Sequence, residues 1–141
     1  MPNLQLYAAE DYDGVLNLYR HKQAYGGNLD PSRDTKERLL AVSQQGNLYV
    51  VHQEGAVVGT CMVLDNPHSF WLLRFAVDPQ LPNSQEIAAT LAQKAREIAA
   101  ERGHDSIVVY TDVDDPSLNR RYEELGFHKA NNYRCYWKEA A

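Results

Sequence analysis

The sequence predicts an α/β domain built on a mixed sheet, and three observations carry that prediction. Two β-type runs, Leu48–Gln53 and Ala56–Leu64, are joined by Glu54-Gly55, a tight hairpin signal. The run Phe70–Val77 is apolar apart from Arg74, as in a central strand covered on both faces. From there on, strand-like and helix-like patterns alternate as β-α-β-α-β, which implies helical crossovers onto one sheet.

The elements follow in order. Leu4, Leu6 and Ala8 alternate as in a short first strand, and Asp11 stands where a helix cap is expected. Tyr12, Val15, Leu16 and Tyr19 then recur at helical spacing, until Gly26-Gly27-Asn28 and Pro31 interrupt the chain. Asp34 with Glu37 resembles a capping box for a second helix carrying Leu39, Leu40 and Val42, which Gly46 ends. After the hairpin, Asp65–His68 turns the chain into Phe70–Val77, and Asp78-Pro79 ends that strand. Glu86–Arg102 is the longest expected helix, burying Ile87, Leu91, Ala95 and Ile98, with Gly103 as its stop. Ile107–Thr111 reads as a short buried strand, Ser117–Leu125 as a helix and Tyr133–Trp137 as a closing strand. No linker or repeat divides the 141 residues, so one domain over 1–141 is expected.

Composition narrows the function classes. A net charge of −5 argues against nucleic acid, whose phosphates need a basic patch. No apolar run reaches membrane-spanning length, and the start Met1-Pro2-Asn3-Leu4-Gln5 lacks the regions of a signal peptide. Cys61 and Cys135 both fall in expected strands, which suits buried thiols in a reducing compartment, so a cytoplasmic location is expected. Asp112, Asp114 and Asp115 are oxygen-rich enough for Mg²⁺ or Ca²⁺, but no glycine-bearing loop spacing accompanies them. The five histidines are scattered without zinc-site spacing, so no metal is expected.

The most informative stretch is Tyr122-Glu123-Glu124-Leu125-Gly126-Phe127. It reads as a helix end, with Gly126 supplying the left-handed residue and Phe127 re-entering the core to start a strand. Tyr122 lies near the C-terminal end of a preceding strand, where α/β sheets build sites, although a packed helix residue fits the pattern equally well.

Together with Val77-Asp78-Pro79 before a long helix, this run resembles the GNAT acyltransferase superfamily, and the resemblance covers essentially the whole chain. It implies a GNAT-like fold: a mixed, mostly antiparallel central sheet flanked by helices, with Phe70–Val77 and Ile107–Thr111 as a splayed parallel strand pair. It further implies that acetyl-CoA lies in that gap as co-substrate, with the backbones of Phe75, Ala76 and Val77 on its pantetheine and thioester. The pyrophosphate would rest on the next helix's N-terminus, where free N–H groups and the helix dipole attract anions. Tyr122 falls at the family's frequent general-acid position, and a phenol, neutral at pH 7, can protonate a departing thiolate. The implied reaction is N-acetyl transfer from acetyl-CoA to a primary amine of a small molecule or peptide.

Departures from the family are equally legible. The loop Gln80–Ala88 puts Asn83 where the family has Arg or Gln and Glu86 where it has its first glycine, so only Ala88 fits. Glu86 brings a side chain and a charge, unless the helix turns it outward; Asn83 or Ser84 is expected to cap the helix and offer a hydrogen bond. Asn83, Ser84 and Ala88 therefore join the cofactor-binding candidates. Many relatives carry a carboxylate in the strand equivalent to Phe70–Val77, where this chain has Leu72 and Leu73, and the base is left among Asp65, His68 and Asp112. Tyr19 and Tyr25 are candidates to line the acceptor pocket. The competing reading is a GNAT-fold binding or dimerisation module with little affinity for CoA. The expected partner is a small-molecule or peptide amine, with neither nucleic acid nor membrane, and a homodimer is left open.

Overall fold

Glu54 and Gly55 both take positive φ, 51° and 78°, the backbone that a two-residue hairpin turn requires. They join β2 (Leu48–Gln53) to β3 (Ala56–Asp65). Around this hairpin the computed structural model, which describes residues 2–20, 25, 28–110, 115–130 and 136–141, builds a five-stranded sheet. β1 (Asn3–Leu6) pairs antiparallel with β2, and β4 (Phe70–Val77) pairs antiparallel with β3. β5 (Val108–Val109) runs parallel to β4, so the sheet is mixed and mostly antiparallel, as the sequence implies.

Helices cover both faces. α1 (Tyr12–Arg20) and α2 (Lys36–Gln44) bury Val15, Leu18, Tyr19 and Leu39 with Leu48, Val50 and Ala76 of the sheet. α3 (Ser84–Glu101) and α4 (Pro116–Glu124) bury Ile87, Leu91, Leu118 and Tyr122 against Val51, Phe75 and Val77. Neighbouring strand residues thus feed opposite cores, which is what the two-residue side-chain period of a strand dictates. Ile87, Leu91, Ala95 and Ile98 all face inward from α3, and Gly59 lets that helix approach β3: a Cβ there would stand 2.7 Å from Ile87 Cγ2.

Gly126 takes φ 93°, and the amide of Phe127 reaches back to the Tyr122 carbonyl at 3.1 Å, closing α4 as the sequence predicts. Other expectations need correction. Asp11 ends a 3-10 turn, Ala9–Asp11, and its carboxylate accepts from the Ala8 amide (2.9 Å) instead of capping α1. Its other oxygen meets His52 Nε2 at 2.7 Å. The cap of α2 is Thr35, whose hydroxyl accepts from the Arg38 amide at 3.2 Å, and not Asp34. Asp34 is one residue too early and is drawn into a buried ion pair with Arg74. β5 is shorter than expected and is not buried, Val108 being 38% exposed. Phe127 packs inward but lies in no strand. Thr111, Asp112, Asp114 and most of Tyr133–Trp137, Cys135 included, lie outside the described residues.

Candidate active site

The site begins with an irregularity in β4. Met62 pairs with Leu73 and Thr60 with Ala76, so Cys61 alone stands opposite Arg74 and Phe75. The extra residue is accommodated by a positive φ of 49° at Arg74, an uncommon conformation for a non-glycine residue. Pairing with β5 covers Trp71 and Leu72, before the bulge. Phe75, Ala76 and Val77 follow it, beyond the described part of the β4–β5 ladder. Their side chains are buried, so the backbone edge is what they can offer a ligand. The bulge thus falls just beyond the described β4–β5 pairing, on the strand that the sequence reading assigns to the cofactor.

Three aromatic rings join Phe75 in one cluster. Tyr25 stacks on it with centroids 4.8 Å apart. Tyr122 packs edge-on against Tyr25 (5.7 Å), Phe75 (6.1 Å) and Phe127 (5.6 Å). The Tyr122 hydroxyl donates to the Tyr25 backbone carbonyl at 2.6 Å. Burial pushes this phenol well above its ordinary range, with smaller contributions from Tyr25 and Cys61, so it holds its proton at neutral pH. α4 itself is fixed by Asp115, whose Oδ1 accepts from the Ser117 (3.0 Å) and Leu118 (3.1 Å) amides.

At the start of α3 the side chains behave less as expected. Asn83 occupies the N-cap position but makes no capping bond. Its amide nitrogen donates instead to Gln53 Oε1 at 2.7 Å, because an amide finds a complementary amide on β2. The Ser84 amide donates to Leu81 O and that of Ile87 to Asn83 O, which leaves the N–H groups of Gln85 and Glu86 without an intrahelical acceptor. Glu86 is exposed and faces a groove shared with Leu4, Ala89, Thr90 and Gln93. Ala88 points the other way, fully buried in the core.

Asp65 and His68 lie away from this region. Asp65 stands opposite Phe70, at the far end of β4, and binds Arg102 Nη1 (2.8 Å) and His104 Nε2 (3.3 Å). His68 sits in the turn that follows, its amide on Asn66 Oδ1. Among the described residues no group of three or more His, Cys, Asp or Glu side chains could hold a metal.

A further polar group was not singled out from sequence. Arg74 pairs through Nη2 with Asp34 Oδ2, and its Cζ lies 4.3 Å from the centroid of the Tyr19 ring. The signal was present, since Arg74 is the one charge in an apolar strand; the partner that explains it comes from the loop before α2.

The comparisons with known proteins agree with this architecture. The sequence model of the acetyltransferase (GNAT) family matches residues 12–127. No curated protein matches the chain in sequence. Among solved structures, a putative acetyltransferase from Agrobacterium tumefaciens is 18% identical, with a TM-score of 0.74 over 96% of this chain and 99% of that one. PaiA N-acetyltransferase from Thermoplasma acidophilum, solved in complex with coenzyme A, is 17% identical, with a TM-score of 0.73 over 88% of this chain and 87% of its own. Glucosamine-6-phosphate N-acetyltransferase from Arabidopsis thaliana is 13% identical, with a TM-score of 0.72 over 99% of each chain. At these identities the structures speak for the fold; the family match, over most of the length, speaks for descent. The chain belongs to the acetyltransferase (GNAT) family of acyltransferases.

Proposed function

We propose that this protein transfers the acetyl group of acetyl-CoA to a primary amine, with Tyr122 as the general acid. A single observation carries the reading: a buried phenol that keeps its proton packs edge-on against Phe75, the residue that follows Arg74 in the β4 bulge. The backbone of Phe75, Ala76 and Val77 would hold the pantetheine arm and thioester. The pyrophosphate would take the amides of Gln85 and Glu86 at the positive end of α3. Ser84 and Ala88 would border it, while Asn83, engaged by Gln53, would contribute less than an Arg or Gln there.

In the reaction the amine nitrogen attacks the acetyl carbon, a C–N bond forms and the C–S bond breaks. Tyr122 gives its proton to the departing sulfur, and the new amide loses one to water, which returns a proton to the phenolate. A phenol has one proton to donate, so Tyr122 must exchange the Tyr25 carbonyl for the sulfur. The chemistry calls for no metal, because protonation meets the charge that develops on sulfur. Cys61, a buried free thiol, suits a reducing compartment such as the cytoplasm.

The start of α3 favours a second reading, a binding module that has lost its grip on CoA. Titrating the protein with acetyl-CoA separates the two. Calorimetric binding and a raised melting temperature are expected for the enzyme, since a ligand of the native state stabilises it. No shift at millimolar acetyl-CoA and no heat would leave the module.

A further inference from the structure

β1 forms one end of the sheet, and among the described residues nothing pairs with its outer side. The Tyr7 amide donates to the Leu48 carbonyl at 2.9 Å, which sets the alternation of this ladder. Gln5 and Asn3 turn their N–H and C=O groups towards β2 in the same way, so Leu4 and Leu6 turn theirs outward. Strand edges are usually guarded by charge, proline or a bulge, and Asn3-Leu4-Gln5-Leu6 has none of these. Pro2, just before it, has no N–H to give, which limits the usable edge to Leu4 and Leu6. Beside that edge a groove of about 400 Å³ runs between β1 and α3. Leu4 lines it, and Leu6, 44% exposed, lies on the same side of the strand. The opposite wall is one stripe of α3, Glu86, Thr90, Gln93 and Glu97, whose spacing puts them on a single helix face. Neither glutamate has an ion-pair partner among the described residues. Lys94, the one cation lining the groove, is drawn onto the Tyr49 ring, its Nζ 5.3 Å from the centroid.

We propose that an extended, basic segment of a partner protein adds to β1 as an antiparallel strand and lays two cationic side chains along the groove to Glu86 and Glu97. The backbone of Leu4 and Leu6 supplies the pairing, and the groove supplies the selectivity. From Glu86 to Glu97 the helix rises about 16 Å, a distance that roughly five residues of extended strand also cover. The aliphatic stems of Arg or Lys suit Leu4, Leu6 and Ala89, while their charged heads suit the acidic rim. A second copy of the chain fits less well. A two-fold axis at the β1 edge would set two α3 helices on the same face, with their acidic stripes turned towards each other. The net charge of −5 also opposes self-association and attracts a cationic segment. The groove uses neither Phe75 nor Tyr122, so binding there does not depend on acetyl transfer.

The probe is a short peptide of alternating threonine and arginine, capped at both ends so that it offers no primary amine to acetylate. Calorimetric titration should show binding that weakens with added salt, and the same peptide with glutamate for arginine should not bind. Amide hydrogen exchange reports the place: Leu4 and Leu6 should slow on binding, while Gln5, already turned to β2, should change little. In an antiparallel pair the residues facing Leu4 and Leu6 carry their side chains to the same side. N-methylation of the arginine amides should therefore abolish binding, and N-methylation of the threonine amides should not. Glu86→Gln and Glu97→Gln should each weaken binding about two- to fivefold, the worth of an exposed ion pair. Leu6→Pro removes one outward N–H without touching the ladder to β2 and should weaken binding about tenfold. If that variant fails to fold, Glu97→Lys, on the exposed face of α3, takes its place with the same expectation. No heat at millimolar peptide, equal binding of the glutamate peptide, or binding without slower exchange at Leu4 and Leu6 overturns the proposal. So does slowing of those two amides with protein concentration alone, which would give the edge to a second copy.

Discussion

The two ends of the proposed cofactor cleft differ in what they ask of the sequence. At the end of β4, the proposed recognition would use the backbone that follows a bulge and one phenol; the bulge lies at Arg74 and Phe75, and the Tyr122 hydroxyl donates to the Tyr25 carbonyl. At the first turn of α3, recognition in the family depends on small residues and a polar or basic side chain, and here Asn83 is tied to Gln53 while Glu86 stands at a glycine position. A backbone edge survives almost any change of side chain, provided the chain still makes the bulge. A close approach to a helix terminus depends on which side chains stand in the way. Glu86 escapes most of that conflict by facing outward, towards Leu4 and Thr90. Its carboxylate near the helix start even favours α3 itself.

Breaking the first region should have the largest effect. Tyr122→Phe is expected to lower kcat about 10²–10⁴-fold with little change in KM for acetyl-CoA, the usual worth of a general acid. The lost bond to the Tyr25 carbonyl should also cost about 1 kcal/mol of stability, read from urea unfolding. An unchanged kcat would leave Tyr122 as a packing residue.

Gly59→Ala tests how far the two regions are coupled, since Gly59 pairs with Val77 and lies under α3. The new Cβ would meet Ile87 Cγ2 at 2.7 Å and Leu91 Cδ1 at 3.0 Å. Leu91 can rotate away, but Cγ2 of a β-branched helical residue cannot, so α3 must move. Overpacking of this kind costs ~1–3 kcal/mol, and acetyl-CoA binding should weaken with it. A mutant as stable as the parent would mean that α3 yields without strain.

Raising the pH should act through two buried groups, Cys61 opposite the bulge and Tyr7 after β1. Burial lifts the Cys61 thiol from 9.0 to about 12, and burial, with help from Asp11, lifts the Tyr7 phenol from 10.0 to about 12. The folded chain therefore keeps protons that the unfolded chain releases. Stability from these groups is complete below the unfolded values and is lost as pH rises towards the folded ones. The melting temperature should be level from neutrality to about pH 9 and fall above it; a level profile to pH 11 would contradict the burial of these groups.

The smallest effect is expected at α3. Asn83→Arg with Glu86→Gly should tighten acetyl-CoA binding roughly two- to fivefold, the worth of a favourable charge at a helix terminus. The gain should shrink with added salt. Loss of the Gln53 contact and a glycine in the first turn will lower the free protein's melting temperature, which is measured alongside. A folded double mutant that binds no better would remove Gln80–Ala88 from the pyrophosphate site.

What the sequence by itself determined was local. Glu54-Gly55 had to turn and Gly126 had to end α4, because few residues accept positive φ. The buried stripe of α3 was legible because apolar spacing and helical period coincide within one segment. Tertiary structure decided what depends on distant partners. Asp34 reads as a cap from its neighbours, yet Thr35 caps α2 and Asp34 pairs with Arg74, forty positions away in sequence. Asn83 likewise reads as a cap or a phosphate ligand, until Gln53 is brought beside it by β2. The bulge at Arg74 follows from the register of β4 against β3, and the partner of the Tyr122 hydroxyl is a carbonyl ninety-seven positions earlier. A residue's conformational limits travel with its own covalent structure, whereas its hydrogen-bond partners are settled only when packing brings remote segments together and excludes the water that would otherwise serve.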